Sequence, residues 1–186
     1  MTNLSLRALA AAGALTIGFG VSALAQPSQA AASSTRVDRL EQIQIYRTKT
    51  WHWQALMRQP KTPTQFSERR ADSLAYITWV RNLWLRRARA AKRQAENPPH
   101  RAGWVCIQRH EGHPAQGWRT HTGNGYYGGL QMDIHFQRTY GSDLLRRRGT
   151  ANRWSPIEQM WVAERAYQSG RGFYPWPNTA RSCGLI

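Results

Sequence analysis

The chain has 186 residues and carries 26 Lys and Arg against 10 Asp and Glu, a formal net charge of +16. A surplus of that size draws a protein to polyanions. Two cysteines without a Cys-x-x-Cys spacing argue against a structural zinc site, and no nucleotide-binding or nucleophile motif occurs.

Met1 to Arg7 holds one positive charge, Ala8 to Leu24 is small and apolar, and Ala23-Leu24-Ala25 fits an A-x-A cleavage rule. Residues 1–25 therefore read as a signal peptide, with Gln26 as the new first residue. Ser28-Gln29-Ala30 is a second cleavage site, and a retained membrane anchor is the alternative. Removal takes away Arg7 alone and leaves a formal charge of +15. On either reading the rest is exported, as a secreted protein of the cell wall or periplasm, peripheral to the membrane at most. The polyanions in reach are then wall polymers, acidic peptidoglycan stems and anionic lipid surfaces. In an oxidising compartment the even cysteine count predicts a Cys106–Cys183 disulfide, with free buried thiols as the alternative. Its loop of about 77 residues makes it worth roughly 4 kcal/mol in the chain-entropy model.

Residues 26–35 read as a flexible linker. From Arg36 to about Gln59 the pattern is helical, with Val37, Leu40, Ile43 and Tyr46 at three-residue steps, a start capped by Ser34 or Thr35, and a break near Thr48-Lys49-Thr50. Pro60 and Pro63 end it. Ser67-Glu68 opens a second helix that runs to about Ala95, with Tyr76, Val80, Leu83 and Trp84 as its apolar stripe. A short Pro-containing loop between two helices predicts an antiparallel hairpin over residues 36–97. The arginines and lysine from Arg81 to Arg93 are first a solvated face, and docking onto wall polymers is their functional reading. Trp51, Trp53, Trp79 and Trp84 read as core before they read as sugar platforms.

Beyond Asn97-Pro98-Pro99 glycine and aromatic residues rise, and a second domain is expected over 98–186. Arg101 to His110 is helical, Gly123-Asn124-Gly125 turns a small β-hairpin, and Leu130 to Tyr140 returns to helix. Ser155-Pro156-Ile157-Glu158 carries an N-cap, a proline at the first helical position and an acid in the first turn, opening a helix to Gly170. The tail around Phe173-Tyr174-Pro175-Trp176-Pro177 is irregular. The fold class expected is mainly α, a helical hairpin followed by an α+β domain with one small hairpin.

Glu111 closes an apolar helix, and Gly112 lets the chain open around it. Cleaving a glycosidic bond takes a carboxylic acid still protonated near neutrality, which burial against an aromatic ring supplies. Trp104, two helical turns earlier on the same side, is placed to pack beneath Glu111. Downstream, Tyr126 and Tyr127 offer flat faces and hydroxyls for sugar rings, Gly128 and Gly129 admit a close ligand, and Gln131 offers a donor and an acceptor. A surface glutamate and a turn built for packing are the plainer readings of the same residues. The six histidines form no metal spacing, so neither metal nor cofactor is expected.

Trp104, Glu111 and the run Thr122-Gly123-Asn124-Gly125-Tyr126-Tyr127-Gly128-Gly129-Leu130-Gln131 resemble the catalytic domain of the resuscitation-promoting factors. These are secreted peptidoglycan-cleaving proteins with a small lysozyme-like fold akin to lytic transglycosylases. Glu158-Gln159, Val162-Ala163-Glu164-Arg165, Ser169-Gly170-Arg171-Gly172 and Trp176-Pro177 with Cys183 are similar to that family's later segments. The resemblance covers about residues 100–186. It implies Glu111 as catalytic acid and Tyr126, Tyr127, Gly129 and Gln131 along a glycan groove, with Asp133 orienting substrate or water. There are departures. His110 stands where the family has a cysteine, so the disulfide attaches a turn earlier at Cys106, and Phe136 takes the place of a tryptophan. The segment from Glu111 to Thr122 is about two residues longer than in the family.

The function expected is muralytic: cleavage of the β-1,4 bond between N-acetylmuramic acid and N-acetylglucosamine, by hydrolysis or by anhydro-forming transglycosylation. Peptidoglycan strands are the partner, with other cell-wall hydrolases as a further one. The alternative is a wall protein that holds glycan without cutting it. A nucleic-acid-binding protein is the third reading, against which the export signal argues.

Overall fold

The computed structural model describes residues 29–70 and 72–186, and it is mainly helical with one two-stranded antiparallel sheet. The expected signal peptide and residues 26–28 of the expected linker lie outside the described residues. No helix among the described residues is long and apolar enough to cross a membrane.

Helix α1 spans Gln29–Leu56, so residues 29–35 are helix and not linker. Ser34 and Thr35 sit within it and donate to the Ala31 carbonyl at 3.0 and 2.9 Å, the back-bonding of mid-helix hydroxyls and not a cap. The expected break at 48–50 is absent for the same reason, because the Thr50 hydroxyl donates to Tyr46 O at 2.8 Å. The second expected helix is split. α2 is only Phe66–Arg69, and α3, Leu74–Ala95, starts where the Ser73 hydroxyl accepts Tyr76 N–H at 3.2 Å. Buried Glu68 ties the two pieces together, accepting from the Trp84 indole at 2.9 Å and from Arg87 at 3.1 Å.

The expected antiparallel hairpin is corrected: α1 and α3 run parallel. Pair contacts climb both helices in the same direction. Arg36 bonds Asp72 O, Arg81 reaches Gln42 and Tyr46, Trp51 meets Trp84 edge-on, and Leu56 and Met57 cluster with Ala95. The proline segment is the return path, laid back along α1. Trp51 donates to Thr62 O at 2.9 Å, and the Gln54 amide both donates to the Thr62 hydroxyl and accepts the Thr62 N–H. Pro60 and Pro63 keep that path extended and remove two donors that a helix would have needed.

The second half contains α4 (Arg101–Glu111), strands β1 (Tyr126–Tyr127) and β2 (Met132–Asp133), α5 (Ile134–Tyr140), α6 (Ser142–Arg148), α7 (Pro156–Ala166) and α8 (Pro177–Ser182). In the sheet Tyr126 faces Asp133 and Tyr127 faces Met132. α6 and α8 are additions to the expected elements. α8 starts inside the stretch read as irregular, with Pro177 in its first turn. The expected N-cap, proline and acid at the start of α7 are present, and Ser155 and Glu158 go further and close a capping box, each side chain bonding the other's backbone N–H.

α7 is the axis of this half: every residue from Glu158 to Ala166 is buried. Its polar side chains therefore each need a partner, and the partners come from all over the chain. Glu164 takes His100, just before α4, and Trp104 within it. Gln159 takes Gly129, Trp118 and Trp154. Trp161 donates to Ala95 O at 2.7 Å and Arg165 to Leu56 O at 2.9 Å. One turn apart on α7, these two side chains satisfy the last carbonyls of α3 and α1. That is why both helices end at the same place, and Arg165 also brings a cation to a helix C-terminus.

Arg165 further reaches Tyr140 O at 2.8 Å and Asp143 at 3.3 Å. Replacing it with Met takes a cation from three acceptors, of which Asp143 keeps Arg147 and Tyr140 O keeps Arg58, and a loss of about 3 kcal/mol in urea unfolding is expected. Burial pushes the Asp143 carboxyl up, but Arg165 and Arg147 together outweigh it and hold it below the ordinary carboxylate range. A lowered folded-state value adds stability above the unfolded value that is lost as pH falls through the folded one. Thermal melts should therefore show a loss of stability on acidification below the ordinary Asp range that is smaller in Asp143→Asn.

Candidate active site

Glu111 is the last residue of α4 and half-buried. Gly112 leaves the helix in an extended conformation (φ −74°, ψ 141°). A Cβ there would lie 2.7 Å from both the Gln108 side chain and its carbonyl oxygen, so only glycine lets the chain exit this tightly. The Glu111 carboxylate accepts a short hydrogen bond from the Thr179 hydroxyl. Thr179 lies in α8, and its carbonyl accepts Cys183 N–H at 2.9 Å. Cys183 is bonded to Cys106 of α4, as the sequence predicts. The disulfide thus holds the helix that carries Thr179 against the helix that carries Glu111.

Trp104 belongs to the core and not to the carboxylate. It has no exposure, its indole donates to Glu164 at 2.8 Å, and its ring meets Phe173, Trp176 and Tyr167. What it offers Glu111 is the placement of α4. His110, next to Glu111, brings a ring nitrogen within 4.8 Å of both cysteine sulfurs. Those sulfurs are bonded to each other, so the group lacks the thiolates a metal would take.

The tyrosine turn is built from two reversals. Gly123 (φ 81°) and Gly125 (φ 87°) carry the first, joining His121 to Tyr127 across an isolated bridge, with Asn124 accepting Tyr126 N–H at 3.0 Å. The hairpin of β1 and β2 turns at 128–131 instead of at the expected Gly123-Asn124-Gly125, closed by Gln131 N–H to Gly128 O at 3.1 Å. Tyr126 is exposed, with 46% of its surface free, while Tyr127 stacks on His121 at 5.1 Å and packs on the core.

Gly129 and Gln131 serve this turn itself. Gly129 N–H donates to buried Gln159 and to Trp118 O, and a Cβ at Gly129 would stand 2.7 Å from Gln108 and 2.9 Å from the Trp118 backbone. Gln131 adopts φ 47° and turns its amide N–H onto Gly128 O at 2.8 Å. Asp133 caps α5, accepting Phe136 N–H at 2.6 Å, and lines a cleft of about 230 Å³ together with His135, Tyr140 and Arg171. The Ser169 hydroxyl, and Arg171 after it, draw the Tyr140 hydroxyl below its ordinary pKa, while burial opposes them. Clefts of about 210 to 670 Å³ can be traced on the described surface, and Glu111 lines none of these five.

α4 and the turn of 128–131 meet at Gln108 and Gly129, and α8 joins α4 at Glu111 and Cys106. Thr179 has no signal in sequence, because the contact needs α8, which spacing alone did not reveal. Gln159 and Glu164 are visible in sequence only within the segments that resemble the family's later helix, with no role attached.

Comparison of the chain with family models, with curated proteins and with solved structures returns no match. Opening the disulfide with the Cys106→Ser, Cys183→Ser pair should lower stability by roughly 4 kcal/mol on the loop-entropy scale. It should also free α8, read by hydrogen exchange as faster exchange at residues 177–183 than at α7.

Proposed function

We propose that the chain is a glycan-cleaving enzyme of the cell wall, with the lysozyme-like domain implied by the resemblance to resuscitation-promoting factors. Glu111 is its general acid. The observation that carries the reading is the Glu111–Thr179 contact, a lone carboxylate oriented at the end of a helix by a hydroxyl from a disulfide-held neighbour. Because Thr179 donates to one carboxylate oxygen, the other is left to hold and deliver a proton. No second acid is bonded to this pair among the described residues.

In this mechanism Glu111 protonates the oxygen leaving C1 of N-acetylmuramic acid, and an oxocarbenium-like state forms. Water or the muramyl 6-hydroxyl captures it, with Glu111 taking the proton back as base. Tyr126 and Tyr127 flank the sugar path. Gly129 and Gln131 shape it through the backbone of the turn, and Asp133 borders it at the start of α5. The basic surface favours an acidic polymer.

Glu111→Gln should lower the rate of peptidoglycan solubilisation by about 10²–10⁴-fold, the scale of a general acid, with unchanged melting temperature. Thr179→Val should lower it less, and Thr179→Ser should recover most of the loss. Equal activity of Glu111→Gln and the parent protein would end the reading. The glycan-holding alternative draws on the prior use of Gly129 and Gln131 within their own turn. It predicts binding to sacculi with no new reducing or anhydro ends.

A further inference from the structure

Next to Gly129, across Trp118, lies a cleft of about 670 Å³ whose lining includes Trp118, Arg119, Arg148, Asn152, Arg153 and Trp154. Its lining holds three guanidinium groups and no carboxylate. Arg148 is paired with Glu158 at 3.3 Å. The side chains of Arg119 and Arg153 have no polar partner among the described residues, and neither has the Trp118 indole N–H. Asn152 accepts from the Thr150 hydroxyl at 2.7 Å through its amide oxygen, which leaves its NH2 to donate. The cleft therefore presents four donor groups without acceptors, beside the half-buried indole of Trp118, while Trp154 is buried and bonded to Gly149 O.

Such a surface selects an anion carried on a carbon skeleton. Two guanidiniums supply planar paired donors that match a carboxylate, and the Trp118 ring covers the chain that bears it. The location narrows the source. Trp118 backs directly onto Gly129, and its carbonyl accepts both the Gly129 N–H and the Gln159 amide. A polymer whose sugars pass Glu111 on one side of the segment 112–119 could bring its acidic side branches to the other.

We propose that this cleft binds the carboxylates of peptidoglycan stem peptides and so makes the chain prefer strands that still carry their stems. The proposal rests on the muralytic reading for the identity of the polymer, but its test does not require cleavage. Glycan strands bearing tetrapeptide stems, and the same strands stripped of stems by amidase, are titrated calorimetrically into the Glu111→Gln protein at ~0.1 M salt, where screening acts beyond about 10 Å. Stem-bearing strands should bind about tenfold tighter, the scale of two charge-assisted contacts. The Arg119→Gln, Arg153→Gln pair should abolish that preference and leave the affinity for bare strands unchanged, at an unchanged melting temperature.

No preference in the parent protein, or a preference that survives in the double variant, overturns the proposal. Poly(glycerol phosphate) as competitor separates the sources of anion: displacement of this polymer by free phosphate but not by stem peptides also overturns it. A wild-type protein that cuts no glycan yet keeps the stem preference sinks the muralytic reading and leaves this one standing.

Discussion

A carboxylate with no solvent exposure governs the second half of this molecule. Glu164 lies in the middle of a helix that is buried on all sides. An ion so placed is tolerated only where donors surround it. One oxygen takes the backbone N–H of His100 and the indole of Trp104, both at 2.8 Å, and the other faces His100 Nδ1 at 3.0 Å. These groups belong to His100, the residue just before α4, and to Trp104 near its start. The negative charge thus sits at the positive end of a helix dipole, where it is stabilised rather than merely matched. With its N-terminal end fixed to α7, an 11-residue helix delivers its far end about 15 Å away at the usual rise per residue. Glu111 is that far end.

The same helix receives the N-terminal half of the chain. Trp161 and Arg165 accommodate the terminal carbonyls of α3 and α1. Parallel helices are the consequence: if both must end on α7, both must point at it. The connecting segment then has to travel back the length of α1, and a chain with Pro60, Pro63 and a threonine clasped by Gln54 is suited to lie extended there. The bonds that join the helix pair to the second half lie at its C-terminal end, from Trp161 to Ala95 O, Arg165 to Leu56 O and Arg58 to Tyr140 O. Its opposite end carries Val37 with 63% of its surface free and Trp79 with 49%, so the apolar stripe there is incomplete.

What could be read from residues follows from how local each determinant is. The N-cap at Ser155, the helix from Arg101 to Glu111 and the cysteine pair were legible because each depends on neighbours in sequence or on an even count of two. The direction of α3 was not. A proline-rich connection reads as a tight loop unless one knows that Trp51 and Gln54 hold Thr62. Likewise the start of the long helix was placed at Ser67, a good cap by type, while Ser73 also has that type and the burial of Glu68 decides between them. At the site, Glu111 and the glycine turn were evident. The demands on Gly129 and Gln131 were assigned to a ligand, whereas packing against Trp118 and closure of the turn account for them. Asp133 shows the same ambiguity, since an N-cap and a substrate contact favour the same residue type.

Position 111 is thus secured from two directions. Buried electrostatics on α7 set the near end of α4, and the disulfide with α8 sets the far end through Thr179. A side chain held at both ends of its helix is preorganised, and that is what a proton donor at a glycosidic bond requires. The most direct measurement is the mass spectrum of fragments released from purified sacculi by the protein. The account predicts disaccharide-peptide fragments cut between N-acetylmuramic acid and N-acetylglucosamine, with reducing or 1,6-anhydro ends. Release of nothing, or of fragments opened only at peptide bonds, would contradict it.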